Sequence, residues 1–310
     1  MVAAVIVDAA GRVLVAQRAP HRHQGGLWEF PGGKVEAEES ARVALARELS
    51  EEVGVVVEEA RPLIRVRHDY PDKAVLLDVW RVSRFSGRAH GREGQPIAWV
   101  TPGELCRLDF PAANHPIITA ARLPSQYLVT PEPGSDRHGF LTRLRRLVAA
   151  GLTLVQLRAK HLPPPVYADL AREVVALCNA AGAQVLLNGA LSLVAELGAA
   201  GVHLTADRLM ALQSRPLPPD RWVAASCHDE RELRHACRIG VDFVVAAPVL
   251  PTASHPTAQL LGWNGLRRLA EQATVPVYAL GGMKTSDLMT AWEHGAQGIA
   301  AISGFWDEGR

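Results

Sequence analysis

Eight short apolar runs in the second half of the chain, at 127–130, 154–158, 184–188, 201–204, 222–226, 243–247, 277–280 and 298–302, alternate with helical stretches in units of roughly 20–30 residues. Each run is too apolar to leave one face in water. Strands buried on both faces and separated by helices predict a compact, closed (β/α)8 barrel rather than an open sheet. The first part of the chain differs: β-like runs at 2–7, 12–16, 61–68, 74–82 and 95–100 surround one clear helix at 40–53, an α+β pattern. Pro111, Pro116 and Pro124 interrupt the pattern around a short apolar helix, which places a boundary near 123–126 and predicts two domains, 1–122 and 126–310. A length of 310 residues accommodates both.

Charge narrows the partners. With 33 basic and 32 acidic residues the formal net charge is +1, which argues against a general binder of nucleic acid or of a membrane surface. Cys106, Cys178, Cys227 and Cys237 show no CxxC spacing and are too few for a disulfide framework, as in a reducing compartment. The apolar start is broken by Asp8 and Gly11 before it could form a signal peptide or span a bilayer. The expectation is a soluble, cytoplasmic protein acting on small molecules.

Residues 32–55 read GGKVEAEESARVALARELSEEVGV. On a helix Glu48, Glu51 and Glu52 stand at i, i+3 and i+4, which predicts three carboxylates on one face. Such repulsion is relieved by a divalent cation, and hard oxygen ligands suit Mg²⁺ or Mn²⁺ bridged to substrate phosphates. Arg47, on a neighbouring face, could pair with Glu39 and clamp the preceding loop. A solvated acidic helix face is the plain alternative. The full spacing decides against it, because Gly33, Glu39, Arg47-Glu48-Leu49, Glu51-Glu52 and Gly54-Val55 match every fixed position of the Nudix box.

The resemblance extends over roughly 1–122 to the MutT group of Nudix hydrolases, through Gln17-Arg18-Ala19, 27–34, Tyr70-Pro71-Asp72, Gly94-Gln95-Pro96 and 110–114. It implies a Nudix fold and metal-dependent hydrolysis of nucleoside triphosphates such as 8-oxo-dGTP. It also implies that Glu48, Glu51, Glu52 and Glu93 hold metal or serve catalysis, and that Gly32 lends its carbonyl. Arg18, Phe30 and Asn114 become candidates for the nucleotide pocket. Phe30 could equally be core, and Asn114 could start a turn or cap a helix. An amide, however, offers the donor and acceptor that an oxidised purine edge requires.

In a barrel, chemistry sits at the carboxyl ends of the strands. Gln156, Arg158 and Lys160 follow the second strand, Asn188 the third, His203 the fourth, Ser226 and His228 the fifth, and Thr252 the sixth. Gly281-Gly282 after the seventh and Ser303-Gly304 after the eighth fit a backbone phosphate cradle. His203 reads as a hydrogen-bonded structural histidine. His228 reads as a proton carrier or as a cap beside Ser226 and Asp229.

Here the chain resembles thiamine phosphate synthase and its relative TenI, a thiazole tautomerase. The resemblance spans roughly 126–305, through 156–160, 201–204, 226–228, 240–243, 248–252, 279–282 and 295–300. It implies that Arg158, Lys160 and Asn188 meet a pyrophosphate, that Gly281, Gly282 and Ser303 meet a thiazole phosphate, and that Ser226 and Thr252 contact substrate. Two positions depart from the synthases. Gly189 follows Asn188 where they have Asp, although Asp207 remains, and Ala253-Ser254-His255 follows Thr252 where they have x-Thr-Lys. The expectation is a Mg²⁺-dependent Nudix pyrophosphohydrolase fused to a synthase-like barrel of weak or altered activity on thiazole or pyrimidine phosphates. One rival is a bifunctional thiamine-pathway enzyme. Another makes the barrel a non-catalytic module that binds a phosphorylated ligand or holds the chain as a homo-oligomer.

Overall fold

The computed structural model describes residues 1–19, 24–69, 74–252 and 257–307, and the chain divides into two compact units, Met1–Arg122 and Leu123–Arg310. The Tyr70-Pro71-Asp72 and Ala253-Ser254-His255 segments lie outside the described residues. Among the described residues no helix is long and apolar enough to cross a membrane.

The first unit runs β1 (Val2–Ile6), β2 (Val13–Gln17), β3 (Trp28–Glu29), α1 (Ala41–Val53), β4 (Val56–Asp69), β5 (Ala74–Ser86), β6 (Ile97–Val100) and α2 (His115–Arg122). One sheet has the order β1-β5-β4 and the other β3-β2-β6. All of β1 is buried because its alternate residues serve two cores. Val2, Ala4 and Ile6 pack with Ala44, Leu45, Leu49 and Val53 of α1, whereas Ala3 and Val5 pack with Phe30, Phe110 and Ile117. Ser40 caps α1, its hydroxyl accepting from Val43 N, and Gly54 at φ 68° ends it in the left-handed conformation.

Three elements differ from the sequence expectation. β4 starts at Val56 rather than 61, β5 continues to Ser86 rather than 82, and β3 was not anticipated. β4 is an edge strand paired only with β5, so the charged Glu58 and Glu59 remain at the surface beside Arg84, and Pro62 is absorbed where the register shifts. At two residues, β3 is shorter than any periodicity can reveal.

The second unit runs β7 (Gln126–Val129), α3 (Arg137–Ala149), β8 (Leu154–Leu157), α4 (Pro164–Ala180), β9 (Gln184–Leu187), α5 (Ser192–Leu197), β10 (Gly201–Leu204) and α6 (Ala206–Ala211). It continues with β11 (Trp222–Cys227), α7 (Glu230–Ile239), β12 (Phe243–Ala246), α8 (Gly262–Gln272), β13 (Val277–Leu280), α9 (Leu288–Glu293), β14 (Gly298–Ala301) and α10 (Ser303–Trp306). The eight strands close into a parallel barrel in chain order, β14 returning to β7. Helices coat it through apolar stripes; α4 buries Tyr167, Leu170, Ala171, Val174, Val175 and Cys178 at helical spacing.

Aromatic rings fill the barrel interior. Tyr127, Phe243 and Tyr278 have centroids 5.5–5.7 Å apart, and Trp222 meets Phe243 edge-on. The amino end is closed by Tyr278, whose hydroxyl donates to the Pro124 carbonyl, and by Gln297, whose amide donates to the Leu123 carbonyl at 2.9 Å. This plug leaves the carboxyl ends of the strands as the place where a cavity opens.

Close strand contact makes one glycine necessary. A Cβ on Gly298 would lie 1.9 Å from the Ser125 carbonyl oxygen. Gly298→Ala is therefore expected to destabilise the barrel by about 1–3 kcal/mol. Denaturant unfolding of the full chain, followed by barrel tyrosine and tryptophan signals, checks this; an unchanged barrel transition would show that the strand can shift to take the methyl.

Candidate active sites

In the first unit, loop 31–33 is stitched to β1: Val2 N–H donates to the Gly33 carbonyl at 2.9 Å and Ala4 N–H to the Pro31 carbonyl at 2.8 Å. This brings two glycines against α1. Gly32 N–H donates to Glu52 Oε2 at 2.8 Å, and a Cβ on Gly33 would fall 2.2 Å from the Glu48 carboxylate. The backbone must approach these carboxylates closely, and only glycine permits it.

Glu52 is the centre of the site. Burial pushes its pKa up to about 7, against the pull of the Gly32 N–H, and the Glu29, Glu93 and Glu48 carboxylates push the same way. Glu93 belongs to a loop docked on α1, where Arg92 N–H and Gln95 Nε2 both donate to the Glu52 carbonyl at 3.0 Å and Gln95 Oε1 accepts from Glu93 N–H.

Glu48 and Glu51 both reach Arg47 Nη1 at 3.1 Å, and Glu48 is also among the carboxylates acting on Glu52. Glu51 is exposed, and its Oε2 accepts from Arg47 at 3.1 Å. The same guanidinium pairs with Glu39 at 2.7 Å and Glu48 at 3.1 Å and donates to the Lys34 carbonyl at 3.0 Å. Arg47, one turn before Glu51, thus holds Glu48 and Glu51 on one guanidinium. The expected clamp between Arg47 and Glu39 is present.

Among the described residues no group of three or more acidic, imidazole or thiol side chains is already arranged to hold an ion. The donor set nevertheless suits a hard divalent cation: Glu48 and Glu52 share a wall, Glu93 and Glu29 crowd Glu52, and all offer carboxylate oxygen. Beside them Arg18 Nε donates to Glu29 Oε2 at 2.5 Å. Phe30 is buried and stacked on Phe110 at 5.3 Å, so it is a core ring whatever else it touches. Asn114 ends the turn 112–114 and is buried, yet its side-chain amide has no partner among the described residues. It does not cap α2.

In the barrel, Gln156, Arg158, Lys160, Asn188, Ser226, His228, Thr252, Gly281, Gly282 and Ser303 all line one cavity of about 1000 Å³ at the carboxyl ends of the strands. Gly281 and Gly282 have φ of 107° and 65°, and a Cβ on Gly282 would lie 2.5 Å from the Pro251 carbonyl oxygen. Gly304 in turn packs on the Met283 carbonyl, so the two predicted cradle segments adjoin.

Four residues that the sequence reading did not assign to this site organise it. Glu132, in the loop after β7, accepts from Arg158 at 3.2 Å and from Lys160 N–H at 3.0 Å. Its position after the first barrel strand was the available signal. Glu232 accepts from His228 N–H at 2.7 Å and pairs with His228 Nδ1 at 2.9 Å, while Asp229 caps α7. His228 is therefore not the cap, and its half-exposed ring faces the cavity. Tyr127 meets His203 Nδ1 at 3.0 Å, and Ser226 Oγ meets Nε2 at 2.9 Å. Burial, with Lys160 adding to it, pushes His203 down to about 3.

Tyr167 is the fourth. Its ring carbon Cε1 would lie 2.4 Å from a Cβ on Gly189, and its hydroxyl donates to the Leu157 carbonyl. The space that a carboxylate at 189 would need is filled by an aromatic ring. Of the carboxylates lining the cavity, Glu232 is engaged by His228, leaving Asp207. Among the described residues that is one free carboxylate, the lower end of the one or two that Mg²⁺ commonly takes from a protein alongside substrate phosphates. Asn188 is turned partly inward, its Nδ2 donating to the His203 carbonyl at 2.8 Å.

Residues 126–305 match the thiamine monophosphate synthase family and residues 2–120 match the NUDIX domain. A thiamine-phosphate synthase of Azorhizobium caulinodans is 32% identical over 181 residues, 58% of this chain and 85% of that protein. An 8-oxo-dGTP diphosphatase of Escherichia coli is 36% identical over 114 residues, 37% of this chain and 88% of that protein. A CTP pyrophosphohydrolase of the same organism is 36% identical over 119 residues, 38% and 88% of the two chains.

His203 ties barrel stability to pH. Its folded pKa of about 3 lies below the ordinary value of about 6.5, so on acidification the unfolded chain takes up a proton that the folded barrel refuses. The stabilisation is complete above about pH 6.5 and is lost as pH falls toward 3, by up to about 1.4 kcal/mol per unit. Unfolding midpoints of the barrel should fall through that window in the full chain and fall less steeply in His203→Gln. Equal slopes would contradict the buried neutral imidazole.

Proposed function

The chain belongs to the thiamine monophosphate synthase family through residues 126–305 and to the NUDIX family through residues 2–120, and from that premise we propose two activities of unequal strength. The first domain hydrolyses an oxidised nucleoside triphosphate, 8-oxo-dGTP, to 8-oxo-dGMP and pyrophosphate, keeping a damaged base out of DNA synthesis. The second binds a singly phosphorylated heterocycle, a thiazole phosphate, with weak or absent synthase turnover.

The observation that carries the first reading is the partly buried Glu52 carboxylate, held on the Gly32 N–H and crowded by Glu29, Glu48 and Glu93. Glu48, Glu52 and Glu93, with the Gly32 carbonyl, would hold Mg²⁺ or Mn²⁺. When bound, the ion lowers the pKa of a water and neutralises phosphate charge. Glu93 stands beside Glu52 to take the proton of the attacking water. The water oxygen bonds to phosphorus as the bridging P–O bond breaks and pyrophosphate leaves. Arg47 holds loop and helix in register through Glu39, and Arg18, braced by Glu29, meets the nucleotide. The buried, unpartnered Asn114 amide reads the purine edge by donating and accepting at once.

For the barrel, the Gly189–Tyr167 packing supports the loss of a pyrophosphate-metal subsite, while Gly281, Gly282 and Ser303 retain a monophosphate cradle. His228, with Glu232 on Nδ1, presents Nε2 to the cavity as a group that can take and return a proton.

With the full chain, specificity constants should favour 8-oxo-dGTP over both dGTP and CTP, and Asn114→Ala should shrink that preference more than it slows dGTP hydrolysis. Equal constants for the three nucleotides in the unaltered chain would defeat the substrate assignment. Calorimetry should show the hydroxyethylthiazole phosphate binding more tightly than the pyrimidine pyrophosphate, with no dependence on Mg²⁺. Tight, Mg²⁺-dependent binding of the pyrophosphate together with rapid thiamine phosphate formation would overturn the reading of the barrel.

A further inference from the structure

Tyr127 and His203 are wholly inside the barrel, yet they make a continuous polar line to its cavity. The Tyr127 hydroxyl lies 3.0 Å from His203 Nδ1, and His203 Nε2 lies 2.9 Å from Ser226 Oγ, which lines the cavity. Tyr127 and His203 are 0% and 2% exposed, and among the described residues neither side chain has another hydrogen-bond partner.

Only one polarity satisfies every atom. A neutral imidazole has one donor nitrogen and one acceptor nitrogen. If Nδ1 carried the proton, the phenol would accept it and its own O–H would be buried with no acceptor, an arrangement native interiors avoid. If Tyr127 donates to Nδ1, the proton sits on Nε2 and is donated to Ser226 Oγ. The serine oxygen is then occupied as an acceptor, and its O–H is left to point into the cavity. A doubly protonated ring would again orphan the phenol, and burial beside Lys160 keeps the ring neutral.

We propose that Tyr127, acting through His203, fixes the Ser226 hydroxyl as a hydrogen-bond donor aimed into the barrel cavity. The cavity thereby selects ligands that present an acceptor there: an unprotonated ring nitrogen, a carbonyl or a phosphate oxygen. Tyr127 and His203 are positioning residues, and Ser226 makes the contact. The ligand part of this inference rests on the cavity being the binding site of the barrel; the polarity of the line does not.

Two measurements on the full chain test it. With isotope-labelled histidine, nitrogen NMR should show His203, assigned by its loss in His203→Gln, as the Nε2–H tautomer, unchanged from about pH 8 to about pH 5. The Nδ1–H tautomer, or a titration in that range, would overturn the polarity. In Tyr127→Phe, which keeps the ring and the packing, that single tautomer should give way to a mixture. Calorimetry with the hydroxyethylthiazole phosphate should find binding weakened about tenfold by Tyr127→Phe and by Ser226→Ala, and by no more in the double variant. Losses that multiply to about a hundredfold would show that Tyr127 does not act through Ser226. If the unaltered chain fails to bind that phosphate, the ligand assignment falls, and the tautomer still decides the relay.

Discussion

One partly buried carboxylate sets the terms for the Nudix domain. Glu52 accepts from the Gly32 N–H and lies among Glu29, Glu48 and Glu93, an arrangement that holds four like charges together at an energetic cost. The surrounding structure can be read as what makes that crowding tolerable. Gly32 and Gly33 let the backbone touch two carboxylates, β1 fixes their loop, and Arg47 ties Glu39, Glu48 and Glu51 to a single guanidinium. The residual repulsion is what a divalent cation would relieve.

The barrel cavity is lined by the opposite charge. It carries Arg158 and Lys160 steadied by Glu132, together with Gly281 and Gly282 at positive φ, and behind Ser226 lies His203, kept neutral by burial. Tyr167 packs against Gly189, its ring occupying the space where a larger side chain at 189 would stand.

What was legible in the sequence follows from the range of the forces involved. The eight barrel strands could be read because parallel strands buried on both faces become apolar runs, and the acidic helix could be read because its spacing is local. Helical spacing places Glu48, Glu51 and Glu52 together but is silent about Arg47, which sits four residues before Glu51 and engages both it and Glu48. Glu132 and Glu232 act across loops or along a helix start, where periodicity carries no signal. Tyr167 occupies a proper apolar position of α4, and nothing local distinguishes a core ring from one that closes off a subsite. The early start of β4 was hidden because its charges belong to an exposed edge.

The proposed function of the first domain rests on Glu52 holding a cation while its charge is held back by burial and by the neighbouring carboxylates. Titration of the full chain with Mn²⁺ near pH 7, in two buffers of different ionisation enthalpy, measures it directly. A group with a pKa of about 7 is half protonated there, so binding should release a fraction of a proton, and Glu52→Gln should bind the ion more weakly and release none from this site. Binding without proton release, or equal binding in Glu52→Gln, would contradict the account.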